Sequence, residues 1–450
     1  MRPGLYWLAS LLVFPLAGSL VSFSRPFRAL PLSSRLALGA GVGAFILSTL
    51  MTIFSLIGVP WSVPPLIGGA VLVCAAIGRR LSLESAGEDR GVSAAPGVYR
   101  VVGTLLVAAT VANATLATVA GGATSADLIT FWGPKAQAFA AARTIDAAFL
   151  SDPLLDYLHP SYPPLVTNVF AFASLVAGRF AWGAATATFP LLLAALAVGL
   201  WGLLRRSMSA ASASAVAALV VCGLGLLGTE ANIAGTGEMP LLFYETLALA
   251  LLVGADATKP SAQLLAGLLL GGAASAKIEG LPFVLAVTGL FAWSRSQSGQ
   301  RWRVCVRLLG PTAVAIGTWL AYGALEGVFR GYEGYGSLLK LYPEALPTIT
   351  ESVAYSLWLI AYGMPFLFPL VFLALRPRPW RPALFPIGVA VTLACFYFFT
   401  YLHVPDPAEW ISWSAARIFS PLIPLLALAG GIGSPVPGRF EGSGEVEGHG

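Results

Sequence analysis

The chain has 450 residues, 57% of them hydrophobic and only 10% charged. Soluble domains carry about 25% charged residues, so this composition excludes a water-soluble globular enzyme and makes lipid the solvent for much of the surface. The net charge of +5 does not point to nucleic acid, because the basic residues sit in short turns between apolar runs.

A membrane-spanning helix needs about 20 apolar residues. In chain order, such segments lie near 5–22, 36–58, 61–78, 99–118, 182–204, 211–228, 240–255, 261–276, 280–294, 304–325, 352–375, 382–402 and 415–433. The expected fold is therefore an all-α polytopic bundle of about thirteen transmembrane helices. A further apolar segment, 163–178, is short: it is either a span or a helix lying in the interface, and the arginine turns below favour the interface. The first span, preceded by Arg2, has some look of a signal peptide but is read as a retained helix. Four cysteines (Cys74, Cys222, Cys305, Cys395) lie in or beside apolar runs without metal-ligand spacing, and are read as small buried hydrophobes.

Basic residues collect in cytoplasmic loops. With the N-terminus outside and 163–178 not crossing, the arginine turns at 25–35, 79–90, 205–206, 295–307 and 376–381 all fall inside. Adding Arg100, Lys259 and Arg439 puts 18 of the 26 Lys+Arg residues on the cytoplasmic side. Acidic residues gather on the other face, among them Asp127, Glu230, Glu238, Glu279, Glu333 and Glu409. Acids contribute little to orientation, so this excess suggests chemistry on the outer face.

Two outer loops are long, 119–181 and 326–351. In the first, Asp127–Arg143 has the spacing of an amphipathic helix, with Pro134 kinking it or starting a second one. The tail from Ser434, rich in Gly and Glu, reads as disordered. The Gly39/Gly41/Gly43 run is read as a close helix contact. Three units are expected: N-terminal spans in 1–98, a main module in 99–433 and a cytoplasmic tail in 434–450.

Several motifs stand in order on the outer side. They are Asp127, Trp132 and Lys135 in SADLITFWGPKAQ, then His159-Pro160-Ser161-Tyr162-Pro163-Pro164-Leu165. Next come Glu238-Met239-Pro240-Leu241, then Lys277, Glu279 and Gly280 in GGAASAKIEGLPF, and last Arg417 in SAARIFSPLIP. Over residues 99–433 this pattern resembles the membrane-embedded GT-C glycosyltransferases, such as protein O-mannosyltransferases and the aminoarabinose transferase of lipid A. The chain departs from many relatives: Leu128 follows Asp127 where a second acid is common, Glu238 stands where Asp is more frequent, and three extra spans come first.

The resemblance implies transfer of a sugar from a polyprenyl-phosphate donor to a glycan, lipid or protein acceptor on the periplasmic face of a bacterial inner membrane. It makes Asp127 and Glu238 catalytic, with Lys277, Arg417, Lys135 and His159 on the donor phosphate and Trp132, Tyr162 and Glu279 on substrate. The chemistry suits these residue types. A carboxylate takes the acceptor hydroxyl proton, cations stabilise the departing phosphate, and an apolar groove takes the lipid tail. No cofactor is implied with certainty, and a divalent metal held by Asp127 and Glu238 stays open.

Each residue also has a plainer reading. Asp127 suits a helix N-cap, and Lys277 a lysine snorkelling to water. Arg417 and Glu238 suit interhelical ion pairs, His159 a bond stabilising its loop, and Lys135 an ordinary charge on an interfacial helix. Among whole functions, a transporter or flippase is the main competitor, followed by a polyprenol-linked polymerase or ligase.

Overall fold

The structure, a computed structural model, describes residues 2–82, 97–121, 125, 127–228, 235–295, 298–329, 340–375, 380–404 and 406–432. Glu230, Glu333, the centre of the second outer loop and the tail at 434–450 lie outside the described residues. Every regular element among those described is helical. In order these are α1 (Arg2–Ser10), α2 (Val13–Ser22), α3 (Leu32–Leu56), α4 (Val63–Ser82), α5 (Gly97–Gly121), α6 (Gly133–Ala142), α7 (Ala147–Leu150) and α8 (Leu165–Ala177). There follow α9 (Trp182–Leu204), α10 (Ala210–Gly228), α11 (Glu238–Val253), α12 (Pro260–Ala276), α13 (Gly280–Arg295) and α14 (Arg301–Leu325). The chain ends with α15 (Leu346–Trp358), α16 (Ile360–Ala374), α17 (Leu384–Tyr401), α18 (Pro407–Ile418) and α19 (Leu422–Gly431).

By length and composition, eight helices among the described residues can cross a membrane, or nine if α15 and α16, bent by 84° at their break, make one span. This makes the chain an integral membrane protein. Helix stands at every segment expected to cross, but α10, α11, α12 and α13 fall below the same test of length and described apolar residues. The surface fits lipid. Along α5 the side chains of Val101, Val102, Leu105, Leu106 and Leu116 are all exposed, and an apolar band of that kind is not left facing water.

The buried centre is formed by α3, α11 and α12. Over Glu238–Leu252 every residue of α11 is buried, as is α12 from Ser261 to Ala276 except Leu264. Both helices are therefore enclosed by other helices, and apart from Glu238 and Glu245 on one face of α11 they carry no charged side chain. α3 reaches this centre because its glycines let neighbours approach. A Cβ on Gly39 would meet the Pro15 carbonyl of α2 at 3.1 Å, and one on Gly41 would press on the Phe243 ring of α11 at 2.8 Å.

α8 has 13 residues, about 20 Å at 1.5 Å per residue, short of a hydrocarbon core about 30 Å thick. It does not lie on the bundle surface, as an interfacial helix would. Leu165–Ser174 are all buried, and Asn168 donates to the Ser48 carbonyl at 3.2 Å and to the Thr52 hydroxyl at 3.3 Å. Those bonds fix α8 to α3, and its all-round apolarity comes from enclosure. One cysteine departs from expectation: Cys74 is buried and Cys222 and Cys305 partly so, but Cys395 is exposed. On the outward face of α17, a thiol is as much at home in lipid as in a core.

Candidate active site

Chain breaks carry the site. Asp127 opens a single wide turn over Leu128–Trp132, after which Pro134 sits in the first turn of α6, where its missing N–H costs nothing. Gly235 has φ +87°, and a Cβ there would collide with the Ser125 side chain. Only glycine meets both conditions without strain, and the contact brings the start of α11, with Glu238 as its first residue, against the segment that holds Asp127. Lys277 ends α12 in an extended conformation (φ −157°, ψ 152°). A turn closed by Gly280 N–H on the Lys277 carbonyl at 3.0 Å then places Lys277 and Glu279 between α12 and α13. Arg417 lies in the last turn of α18, where a cation is favoured by the helix dipole.

These four breaks meet in one ionic chain. Arg417 Nη2 donates to Asp127 Oδ2 at 2.8 Å, and its Nε donates to Glu238 Oε1, also at 2.8 Å. Lys277 Nζ donates to the same Glu238 oxygen at 2.6 Å and pairs with Glu279 Oε1 at 2.9 Å. The order is Asp127–Arg417–Glu238–Lys277–Glu279, three carboxylates to two cations. Glu238 is 3% exposed and Lys277 5%, so solvent screens these pairs little. Buried charges of this kind are sustained only by close partners of opposite sign.

Several plainer readings are resolved by this geometry. Asp127 makes no side-chain cap; its carboxylate goes to Arg417. Lys277 does not snorkel to water but is enclosed between two carboxylates. Arg417 and Glu238 are ion-paired, as their plainer readings hold. Both cations nevertheless keep donors in hand. An ammonium has three N–H groups and a guanidinium five. Lys277 spends two on its carboxylates, and Arg417 Nη1 has no partner among the described residues.

Lys135, His159, Trp132 and Tyr162 form an aromatic wall beside this chain. The His159 and Tyr162 rings stack at 4.8 Å, Phe131 meets His159 edge-on at 4.8 Å, and Trp132 lies 6.1 Å from Tyr162. His159 sits at φ +51°, a left-handed conformation that His tolerates better than most residues. Its carbonyl accepts from Tyr162 N–H at 3.1 Å and from Lys135 Nζ at 3.4 Å. The role of His159 in shaping the loop is thus visible. Lys135 is not the ordinary exposed interfacial charge: it is 3% exposed and lies 4.8 Å from the Trp132 ring. Among the described residues it has no carboxylate partner, and burial lowers its ammonium from 10.5 to about 7. At Asp127 burial pushes the carboxyl upward; the Glu238 carboxylate adds to this, and Arg417 and Lys277 oppose it, leaving the group above its usual 3.8.

No cluster of three or more His, Cys, Asp or Glu placed to hold a metal occurs among the described residues. In the arrangement seen, the Arg417 guanidinium lies between Asp127 and Glu238. An apolar cavity of about 230 Å³ lies between α1, α2, α3, α8, α9 and α11, lined by Pro240, Phe243 and Tyr244. Those three form the face of α11 opposite Glu238, since residues two apart point about 200° apart on a helix. One chemical residue escaped the sequence reading. Glu245, two turns after Glu238 on the same face, is fully buried, and its signal was a lone acid inside the apolar run LLFYETLALALLV. No protein-family model matches the chain, and no curated protein matches it.

Proposed function

We propose that the protein is an integral membrane glycosyltransferase that moves a sugar from a polyprenyl-phosphate donor to a hydroxyl acceptor. The observation that carries this is the convergence of Asp127, Glu238, Lys277 and Arg417, from four separate chain breaks, into one buried ionic chain at one end of the bundle. At the other end of α11 is a different ion pair, Lys259 with Asp256 at 2.7 Å. The reading includes thirteen crossings, the GT-C arrangement, the N-terminus outside and a periplasmic site in a bacterial inner membrane.

In the reaction, the acceptor oxygen bonds to the sugar's anomeric carbon as the bond from that carbon to the phosphate oxygen breaks. The bonding pair leaves with the phosphate, and the acceptor proton passes to the Asp127 carboxylate. A carboxyl raised toward neutrality by burial is a better proton acceptor than an exposed aspartate. Arg417 holds Asp127 in place, and its free Nη1 donors, with the remaining Lys277 N–H, suit the growing phosphate charge. Lys135 is a third cation, without an anion of its own among the described residues, and it takes the donor phosphate charge. The Trp132, His159 and Tyr162 rings offer apolar faces to a sugar. Incubating membranes that contain the protein with radiolabelled polyprenyl-phosphate sugars tests the reading: label must move from the lipid to an acceptor.

A transporter or flippase is the second reading, and Glu245 favours it, since acids buried between helices often mark solute or ion paths. It predicts movement of substrate across the bilayer with the donor bond left intact.

A further inference from the structure

Glu245 lies in the interior of α11, seven residues past Glu238 and fully buried. Neither of its carboxyl oxygens has a hydrogen-bond partner among the described residues. Two other unpartnered groups lie in its electrostatic neighbourhood. The Tyr397 hydroxyl, on α17, is buried and unbonded, and so is the second oxygen of Glu279. Three groups with buried, unfilled oxygens thus lie within electrostatic reach of one another, on α11, on α17 and in the break between α12 and α13.

The charges around them are few. Of the helices packed against α11, α9, α12 and α19 contain no Asp, Glu, Lys, Arg or His, and α13 contains only Arg295 at its far end. α17 supplies Tyr397, and the break between α12 and α13 supplies Glu279 and Lys277. Lys277 is already held by Glu238 and Glu279 at 2.6 and 2.9 Å, and Arg417 by Asp127 and Glu238. No cation is left for Glu245. An ionised carboxylate buried without a partner costs several kcal/mol, and a fourth negative charge beside a chain that already has three carboxylates to two cations adds repulsion.

We propose that Glu245 is a buried proton-binding site beneath the ionic chain. The ligand is a proton, held on the Glu245 carboxyl. The proton removes the charge for which no cation is left. The site requires neither sugar transfer nor transport, so its test is separate from that of the proposed function.

Protonated carboxyls in an apolar setting add across hydrophobic carbodiimides. The acid oxygen bonds to the carbodiimide carbon, the acid proton moves to its nitrogen, and the adduct rearranges to a stable N-acylurea with nothing lost. The full chain in lipid nanodiscs is treated with dicyclohexylcarbodiimide and mapped by peptide mass spectrometry, with Glu245→Gln alongside. The expected result is an adduct on Glu245 at neutral pH that falls about tenfold per pH unit once the group ionises, is indifferent to added Na⁺ or Mg²⁺, and is lost in Glu245→Gln. Because glutamine mimics the protonated acid, that variant is expected to unfold at the wild-type temperature. Absence of the adduct while other carboxyls react, or its suppression by Na⁺ or Mg²⁺ at fixed pH, overturns the proposal. A marked loss of stability in Glu245→Gln does so too, since it shows that the native group is an ion.

Discussion

Arg417, in the last turn of α18, donates a 2.8 Å hydrogen bond to Asp127, 290 positions earlier in the chain. The same guanidinium holds Glu238 at the start of α11, so one side chain ties three distant segments together. Arg417→Gln leaves two largely buried carboxylates without their shared cation. The expected loss is about 2–4 kcal/mol, reduced from a fully buried pair because Arg417 is partly exposed. Thermal unfolding in nanodiscs measures it. Arg417→Lys restores charge but not the forked geometry, and recovers only part of the loss.

Gly235 sets how closely α11 approaches Asp127. Alanine there meets an unfavourable φ of +87° and pushes its Cβ into Ser125. A cost of about 1–3 kcal/mol is expected from the backbone alone. The displaced Glu238 is expected to lower transfer by up to about 10²-fold, since small misplacements are costly in catalysis. Transfer rate and melting temperature, measured together, check both effects; a loss confined to stability contradicts the positioning role.

Lys135 predicts a specific pH dependence. Its folded value of about 7 lies below the ordinary 10.5, so between those limits the unfolded chain holds a proton that the folded one has released. Stability then rises with pH across that window. Lys135→Met removes this rise, and melting temperatures at pH 6.5 and 9.5 read it. If Lys135 meets the donor phosphate, donor binding weakens above about pH 7 in the wild type and not in the variant.

Much of this was legible from sequence because a membrane imposes coarse rules. Apolar length marked the helices, and the excess of acids expected on one face marked the end where Asp127, Glu238, Glu279 and Lys277 meet. Pairings were not legible. Nothing along the chain says that Arg417 chooses Asp127 and Glu238, or that Lys277 lies between two carboxylates, because those choices depend on helix rotation and on which breaks come together. Nor did hydropathy show that α8 is enclosed by other helices, since a short apolar helix reads alike whether one face meets lipid or all faces meet protein. Burial of Lys135 was hidden for a similar reason: a lysine on a short helix between spans gives no sign that aromatic side chains cover it. Glu245 was missed: its only signal was a lone acid in an apolar run, and its burial and lack of a cation needed the structure.

The most direct measurement is glycosyl transfer from radiolabelled polyprenyl-phosphate sugars by wild-type protein and by Asp127→Asn, both reconstituted and shown to be folded. Asparagine keeps the shape and can still accept from Arg417, but it cannot take the acceptor's proton. A fall of about 10²–10⁴-fold, the usual worth of a general base, with folding intact, is the predicted result. Equal transfer by the two proteins removes Asp127 from the chemistry, and absence of transfer from any donor by folded wild-type protein contradicts the glycosyltransferase reading itself.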